Sequence, residues 1–150
     1  MQNWQELINT KGRIMGVDFG DTGTGLAISD ESRFLASGIG YISVGGLAKT
    51  ADKTAELARE NGVSAIVVGL PVNMNGTQGP RAERAKEFAE LLGTLVDVPV
   101  CMLDERMTTM SAARYLDMTN TRGKKRKSVI DTLSAEIILQ NALDKLKNMK

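Results

Sequence analysis

The sequence predicts one α/β domain: a five-stranded mixed sheet in which a three-strand meander runs into parallel βα units, flanked by helices. Three observations carry that expectation. Short strand-like segments separated by turn signals fill residues 13–44. Two continuous apolar runs, Ser64–Leu70 and Val98–Leu103, have the character of strands buried on both faces. The segments around them repeat apolar residues at helical spacing. A length of 150 residues holds one such domain with a sizeable core, not two lobes around a cleft.

The elements follow in order. Residues 1–12 read as an N-terminal extension whose Trp4 and Leu7 pack back on a domain spanning 13–150. Arg13–Phe19 is the first strand, apolar at Ile14 and Val17, with Asp18 near its end. Thr24–Ser29 follows after a tight Gly-rich turn, so the two form a hairpin, and Phe34–Val44 holds the third strand. Ala48–Asn61 places alanines at 48, 51, 55 and 58 at helical spacing and is closed by Asn61-Gly62.

Beyond the strand Ser64–Leu70 lies PVNMNGTQGP, a loop rich in helix breakers. Arg81–Leu95 then sets Ala85, Phe88, Leu92 and Leu95 on one helical face. The strand Val98–Leu103 ends in the charged triplet Asp104-Glu105-Arg106. A short helix near Ser111–Leu116, a polar loop over 117–127 and a last helix over roughly Val129–Lys147 complete the chain. That last helix turns Ala135, Ile138, Leu139, Ala142 and Leu146 inward.

Composition excludes several chemistries. The chain has no histidine and a single cysteine, Cys101. Ser-His-Asp and Cys-His mechanisms, cysteine-rich zinc sites and histidine-based nucleases are thereby removed. Catalysis must come from carboxylates, lysines, hydroxyls or a bound ion, and a metal would be held by oxygen ligands, which favours Mg²⁺ or Mn²⁺. No apolar run reaches membrane-span length and MQNWQELINTKGR lacks the apolar region of a secretory signal, so cytoplasmic residence is the expectation. The net charge of +1 hides an asymmetry. Residues 1–100 carry 9 basic against 12 acidic side chains, residues 101–150 carry 10 against 6. Much of the basic excess is the run RGKKRK, Arg122–Lys127, which reads as a solvated loop or as a hold on a phosphate backbone.

The stretch MGVDFGDTGTGLAISD, residues 15–30, tests for a phosphate cradle and fails. Ile28 stands where the dinucleotide fingerprint after Gly23-x-Gly25 needs glycine, and Leu26 where the Walker loop needs lysine. Both motifs also require a helix next, and TGLAIS is strand-like. The glycines are those of a hairpin turn, with Asp21 and Asp30 as turn residues. Asp18 is different. A carboxylate inside a largely buried strand is costly unless it is paired or meets a cation.

Two further acidic sites are candidate partners. Asp104-Glu105 ends a strand, and alternation lets only one of the two face the same side as Asp18. Asp131 opens the last helix, four residues before Ala135 on its inward stripe; a favourable charge against the helix dipole is its alternative explanation. Three carboxylates meeting at one sheet end would repel each other unless divalent cations held them. Such a cluster suits phosphodiester hydrolysis.

Four blocks carry a resemblance: GVDFG with GLAISD, VVGLPVNMNGTQGPRA, DERMTT, and VIDTLSAEIILQNAL. In this order they resemble the YqgF family of Holliday-junction-resolvase-like proteins over about residues 13–144. The resemblance implies a ribonuclease H-like fold and a metal-dependent nuclease acting in maturation of the precursor of 16S ribosomal RNA. An older reading makes such proteins resolvases of branched DNA. It also implies an acidic, metal-holding site of Asp18, Glu105 and Asp131, with Asp104 as the alternative to Glu105. Asn73, Asn75, Arg81, Arg106, Thr108 and Thr109 fall in the same motifs as substrate contacts, with Lys124 and Lys125 of the basic run beside them. The implied partner is structured RNA or branched DNA, and symmetric cutting of a junction would call for a homodimer.

The chain departs from the family pattern at Asp21-Thr22-Gly23-Thr24, where many members carry Lys or Arg, and at Asn75, where Asp is more usual. The missing cation favours a rival reading, a non-catalytic RNA-binding module. A sugar-kinase or actin-like ATPase opens with a similar hairpin but needs two such domains around its nucleotide.

Overall fold

The computed structural model describes residues 4–105 and 123–149, with the backbone alone from 123 to 128. Nine elements follow in chain order: α1 (Trp4–Ile8), β1 (Ile14–Asp18), β2 (Thr24–Ser29), β3 (Ala36–Ile42), α2 (Leu47–Glu60), β4 (Ala65–Leu70), α3 (Pro80–Leu95), β5 (Val100–Asp104) and α4 (Gly123–Met149). The strands form one sheet in the order β3-β2-β1-β4-β5. β1 pairs antiparallel with β2, and β2 with β3; β1–β4 and β4–β5 are parallel. This is the expected meander feeding parallel βα units. The expected short helix near Ser111–Leu116 lies outside the described residues.

Each sheet face has its own core. Met15, Val17, Ile66 and Val68 point to α2 and α3, where Phe19 stacks on Phe88 with ring centroids 4.6 Å apart. The alternate residues Ile14, Ala65, Val67 and Leu103 point to α4, meeting Ala135, Ile138, Leu139, Ala142 and Leu146. Period-2 side-chain alternation in the strands and the apolar stripes of the helices thus agree. In α2 the stripe is Ala51, Ala55 and Ala58, while Ala48 is exposed. Asn61 caps that helix and Gly62, at φ +61°, ends it, as expected.

α4 lies unusually close to the sheet. A Cβ on Gly16 would come within 2.6 Å of Leu139 Cβ, and one on Gly25 would overlap the carbonyl oxygen of Asp131. Only hydrogen at these positions lets the helix backbone settle onto β1 and β2.

Two sequence expectations are corrected. The loop expected over 117–127 gives way to helix from Gly123, because Lys and Arg are good helix formers and nothing from Lys124 onward breaks the run. Asp131 therefore lies well inside α4 and not at its start, and the helix-dipole explanation for it falls, since that field fades within the first turn. Trp4 and Leu7 pack back on the domain as expected, from a short helix over residues 4–8. Leu7 is fully buried in the α4-side core, and the Trp4 indole N–H donates to Met102 O at 3.2 Å, on the edge strand β5. No helix among the described residues is long and apolar enough to cross a membrane.

Candidate active site

Asp18 is the last residue of β1 and pairs with Gly25 of β2. Because Val17 packs on the α2–α3 side, Asp18 turns to the α4 side. Gly25 faces the same way, and α4 rests on it through the Asp131 backbone. The Asp131 carboxylate is carried forward from there. Its Oδ2 lies 2.5 Å from where a Cβ on Gly23 would stand, so the turn before β2 leaves room for it.

Glu105 arrives from the other side. Leu103 packs against α4, Asp104 pairs with Leu70 and turns away, and Glu105 turns back. Its carboxyl carbon and Oε2 lie 3.2 Å from where a Cβ on Gly69 would stand. Gly69 follows Val68, the β4 partner of Val17, so Glu105 hangs beside the end of β1. Of the two neighbouring acids it is Glu105, not Asp104, that bears on Asp18.

The electrostatics follow from this crowding. Enclosure pushes the Asp18 carboxyl up from 3.8 to about 7, with Glu105 and Asp131 adding repulsion and Arg81 opposing them. The Glu105 carboxyl is also raised, chiefly by burial; Arg81 lowers it and Asp104 raises it. Glu105 Oε2 and Asp131 Oδ2 are both buried oxygens. Arg81, exposed in the first turn of α3, is the cation that acts on both Asp18 and Glu105. Among the described residues no three acidic side chains form a ready-made metal cage. The donors available are nevertheless all oxygen, which is what Mg²⁺ and Mn²⁺ take.

The other expected site residues are placed differently. In the loop 71–79, Asn73 Nδ2 donates to Thr77 Oγ1 at 2.9 Å, and Asn75 Oδ1 accepts from Thr77 N at 3.1 Å and Thr77 Oγ1 at 2.7 Å. Both asparagines are thus engaged in holding their own loop. Arg106, Thr108 and Thr109 lie outside the described residues, and the Lys124 and Lys125 side chains are not among those described. Asp30 is a turn residue as expected, accepting from Phe34 N at 2.8 Å and Leu35 N at 3.0 Å. Asp21 is held in an exposed ion pair with Arg84 at 2.7 Å.

Sequence reasoning missed two things. Gly25 and Gly69 are seats for the acidic side chains' surroundings, a fact that depends on partners distant in sequence. Tyr41 pairs with Gly25 and therefore shares the row of Asp18, on the open side of the site. The signal for it was Gly38-Ile39-Gly40, since glycines inside a strand often mark a bulge.

Residues 12–145 match the family model described as "RuvX: Holliday junction resolvase". The chain belongs to the RuvX family. RuvX relatives at full length are close. A protein of Pelotomaculum thermopropionicum named "Putative pre-16S rRNA nuclease" is 46% identical over 133 residues, 88% of this chain and 86% of its own. One of the same name from Ruminiclostridium cellulolyticum is 41% identical over 139 residues, 92% of this chain and 98% of its own. Among solved structures, Thermus thermophilus RuvC in complex with Holliday junction substrate superposes with a TM-score of 0.58. The match covers 89% of this chain and 94% of RuvC at 13% identity, which shows a shared fold.

Proposed function

We propose that this RuvX-family chain is a nuclease that hydrolyses phosphodiester bonds in the precursor of 16S ribosomal RNA, acting in the cytoplasm. The observation that carries the reading is the gathering of Asp18, Glu105 and Asp131 at one sheet end, where burial first, and then the repulsion of Glu105 and Asp131, raises the Asp18 carboxyl to about 7. Like charges brought together in an enclosed place destabilise the fold, and such arrangements concentrate at functional sites. The names carried by the 41–46% identical relatives supply the substrate.

In this reading Asp18, Glu105 and Asp131 would hold Mg²⁺ or Mn²⁺. A divalent cation there supplies charge neutralisation at the phosphate and a water of lowered pKa. The chain's own residues do the rest. Asp18 and Glu105 keep the site acidic and partly enclosed, Gly25 sets the depth of Asp131, and Arg81 orients the phosphate from the α3 side.

The test is cleavage of precursor rRNA by the purified protein with Mg²⁺ or Mn²⁺. Asp18→Asn should lower kcat by roughly 10²- to 10⁴-fold. Undiminished cleavage by that variant would overturn the site. The family model's description favours one rival substrate, a four-way DNA junction, which belongs in the same assay. Preference for that junction, together with a dimeric mass in solution, would reassign the chain to resolvase activity.

A further inference from the structure

We propose that Tyr41 is a substrate contact, an aromatic ring at the rim of the acidic site that stacks on an unpaired base next to the phosphate being cut. The inference rests on the nuclease reading for its substrate class, and on a separate set of observations for its geometry.

The first observation is register. β2 and β3 pair as Thr24↔Ile42, Gly25↔Tyr41 and Leu26↔Gly40, and then slip so that Ala27 faces Gly38. Ile39 is the extra residue of a bulge, and Gly40 takes φ +133°. Gly38 faces α4 at Thr132. Strict alternation from Gly38 would send Tyr41 to the opposite face. The bulge reverses that parity and brings Tyr41 into the row of Gly25 and Asp18, as bulges beside active sites commonly re-aim a side chain.

The second is proximity. The point where a Gly23 Cβ would stand lies 3.7 Å from Tyr41 Cδ2 and 2.5 Å from Asp131 Oδ2. Ring and carboxylate thus both lie close to the same point. Gly23 and Gly25 leave no side chain between them.

The third is exposure. Tyr41 is 49% exposed, on the edge strand of the sheet, in a chain with only two tyrosines and one tryptophan. The exposed half of the ring is apolar surface that a stacked base would cover.

The chemistry favours a base as the occupant. A flat, uncharged aromatic ring offers a stacking face to a base and no charge to a phosphate, and unpaired RNA presents such bases splayed out. Asp18 and Tyr41 are two strand spacings apart, about 10 Å, within reach of a flanking nucleotide on the same strand. A second copy of the chain fits less well. The edge is broken by the bulge, and at its start Ala36 N already donates to Gln140 Oε1, so β3 is a poor template for strand addition.

The test measures binding of a labelled single-stranded precursor RNA to the full chain by anisotropy, with a series of substrates carrying one abasic nucleotide at successive positions. Tyr41→Ala should weaken binding roughly tenfold, while Tyr41→Phe and Tyr41→Trp keep it. One abasic position should weaken wild-type binding by a similar factor and leave Tyr41→Ala unaffected. A structural role for the ring would not produce that selective insensitivity. Wild-type affinity in Tyr41→Ala, equal further losses at every abasic position, or no RNA binding at all would each overturn the proposal. So would loss of self-association in Tyr41→Ala with RNA affinity unchanged, which assigns the ring to a contact between copies. If Tyr41-dependent binding holds but Asp18→Asn cleaves as wild type, the nuclease site fails and the stacking contact stands.

Discussion

The two ends of β1 are built on opposite terms. At its start, Ile14 N donates to Ser29 Oγ at 2.9 Å, and Ser29 Oγ donates in turn to Asp30 O. Nearby, Arg33 accepts a left-handed backbone, φ 63°, and donates to Gly12 O and to Thr10 Oγ1, each at 2.7 Å. These two bonds tie the segment after α1 to the hairpin, so the unfavourable φ is compensated. At its other end, β1 delivers Asp18 into the company of two more carboxylates, and its pKa rises. One end satisfies its polar groups for the fold. The other accumulates like charge against the fold, and that is where chemistry is to be sought.

The largest expected effect probes the charged end directly. Unfolded, Asp18 releases its proton near 3.8; folded, only near 7. The native state is therefore the tighter proton binder. The stability this provides is full below about pH 4 and is lost as pH rises to 7, by about 4 kcal/mol at most. Asp18→Asn mimics the neutral acid at all pH values. Urea unfolding without divalent ions should find the two proteins alike near pH 4 and the variant more stable at pH 8. Parallel pH profiles would break the contrast between the ends.

Next in size is the seat beneath Asp131. Gly25→Ala drives a methyl group into the Asp131 carbonyl oxygen, so α4 must lift from β2. Overpacking against backbone has no soft side chain to yield, and a loss of about 3 kcal/mol is expected. Because Asp131 rides on the displaced helix, cleavage per folded molecule should fall as well. A stable Gly25→Ala protein with full activity would show that the depth of α4 is immaterial to the site.

Much of this could be read in the sequence. The strands were legible because apolar runs such as Ser64–Leu70 have few alternatives; alternation showed that only one of Asp104 and Glu105 could face Asp18, and the fold decides for Glu105. The start of α4 was not legible: a basic run reads as solvated loop when its charges are weighed and as helix when its propensities are. The asparagines of the 71–79 loop show a second limit. A motif names Asn73 and Asn75, but only the fold reveals that their amides are engaged with Thr77. Tyr41 marks a third, since its facing depends on a one-residue slip between strands.

A smaller effect belongs to the satisfied end. Ser29→Ala removes the acceptor of a buried N–H at Ile14, and about 2 kcal/mol of stability should go with it. Rates of cleavage measured on folded protein should stay unchanged, because the Ser29 bonds lie at the opposite end of β1 from the carboxylates. A loss of rate without a loss of stability would mean that the two ends are coupled through β1.

The smallest effect sits on the exposed turn between β1 and β2, at Asp21. Arg84 of α3 donates to Asp21 Oδ1 through Nε at 3.2 Å and Nη2 at 2.7 Å, and its Nη1 reaches Glu87 at 3.1 Å. Surface pairs of this kind contribute little, and salt screens them, so Asp21→Ala should leave the unfolding midpoint unmoved. Its consequence is electrostatic. The substitution removes one negative charge from the turn beside the acidic site, and it releases half of the hold on Arg84. RNA affinity should therefore rise a few-fold at low salt, and the gain should vanish at high salt, as expected for one phosphate contact. A gain that persists at high salt would point to a rearranged turn. No gain at all would mean that the strand does not pass the turn, and that it crosses the sheet edge on the Tyr41 side alone.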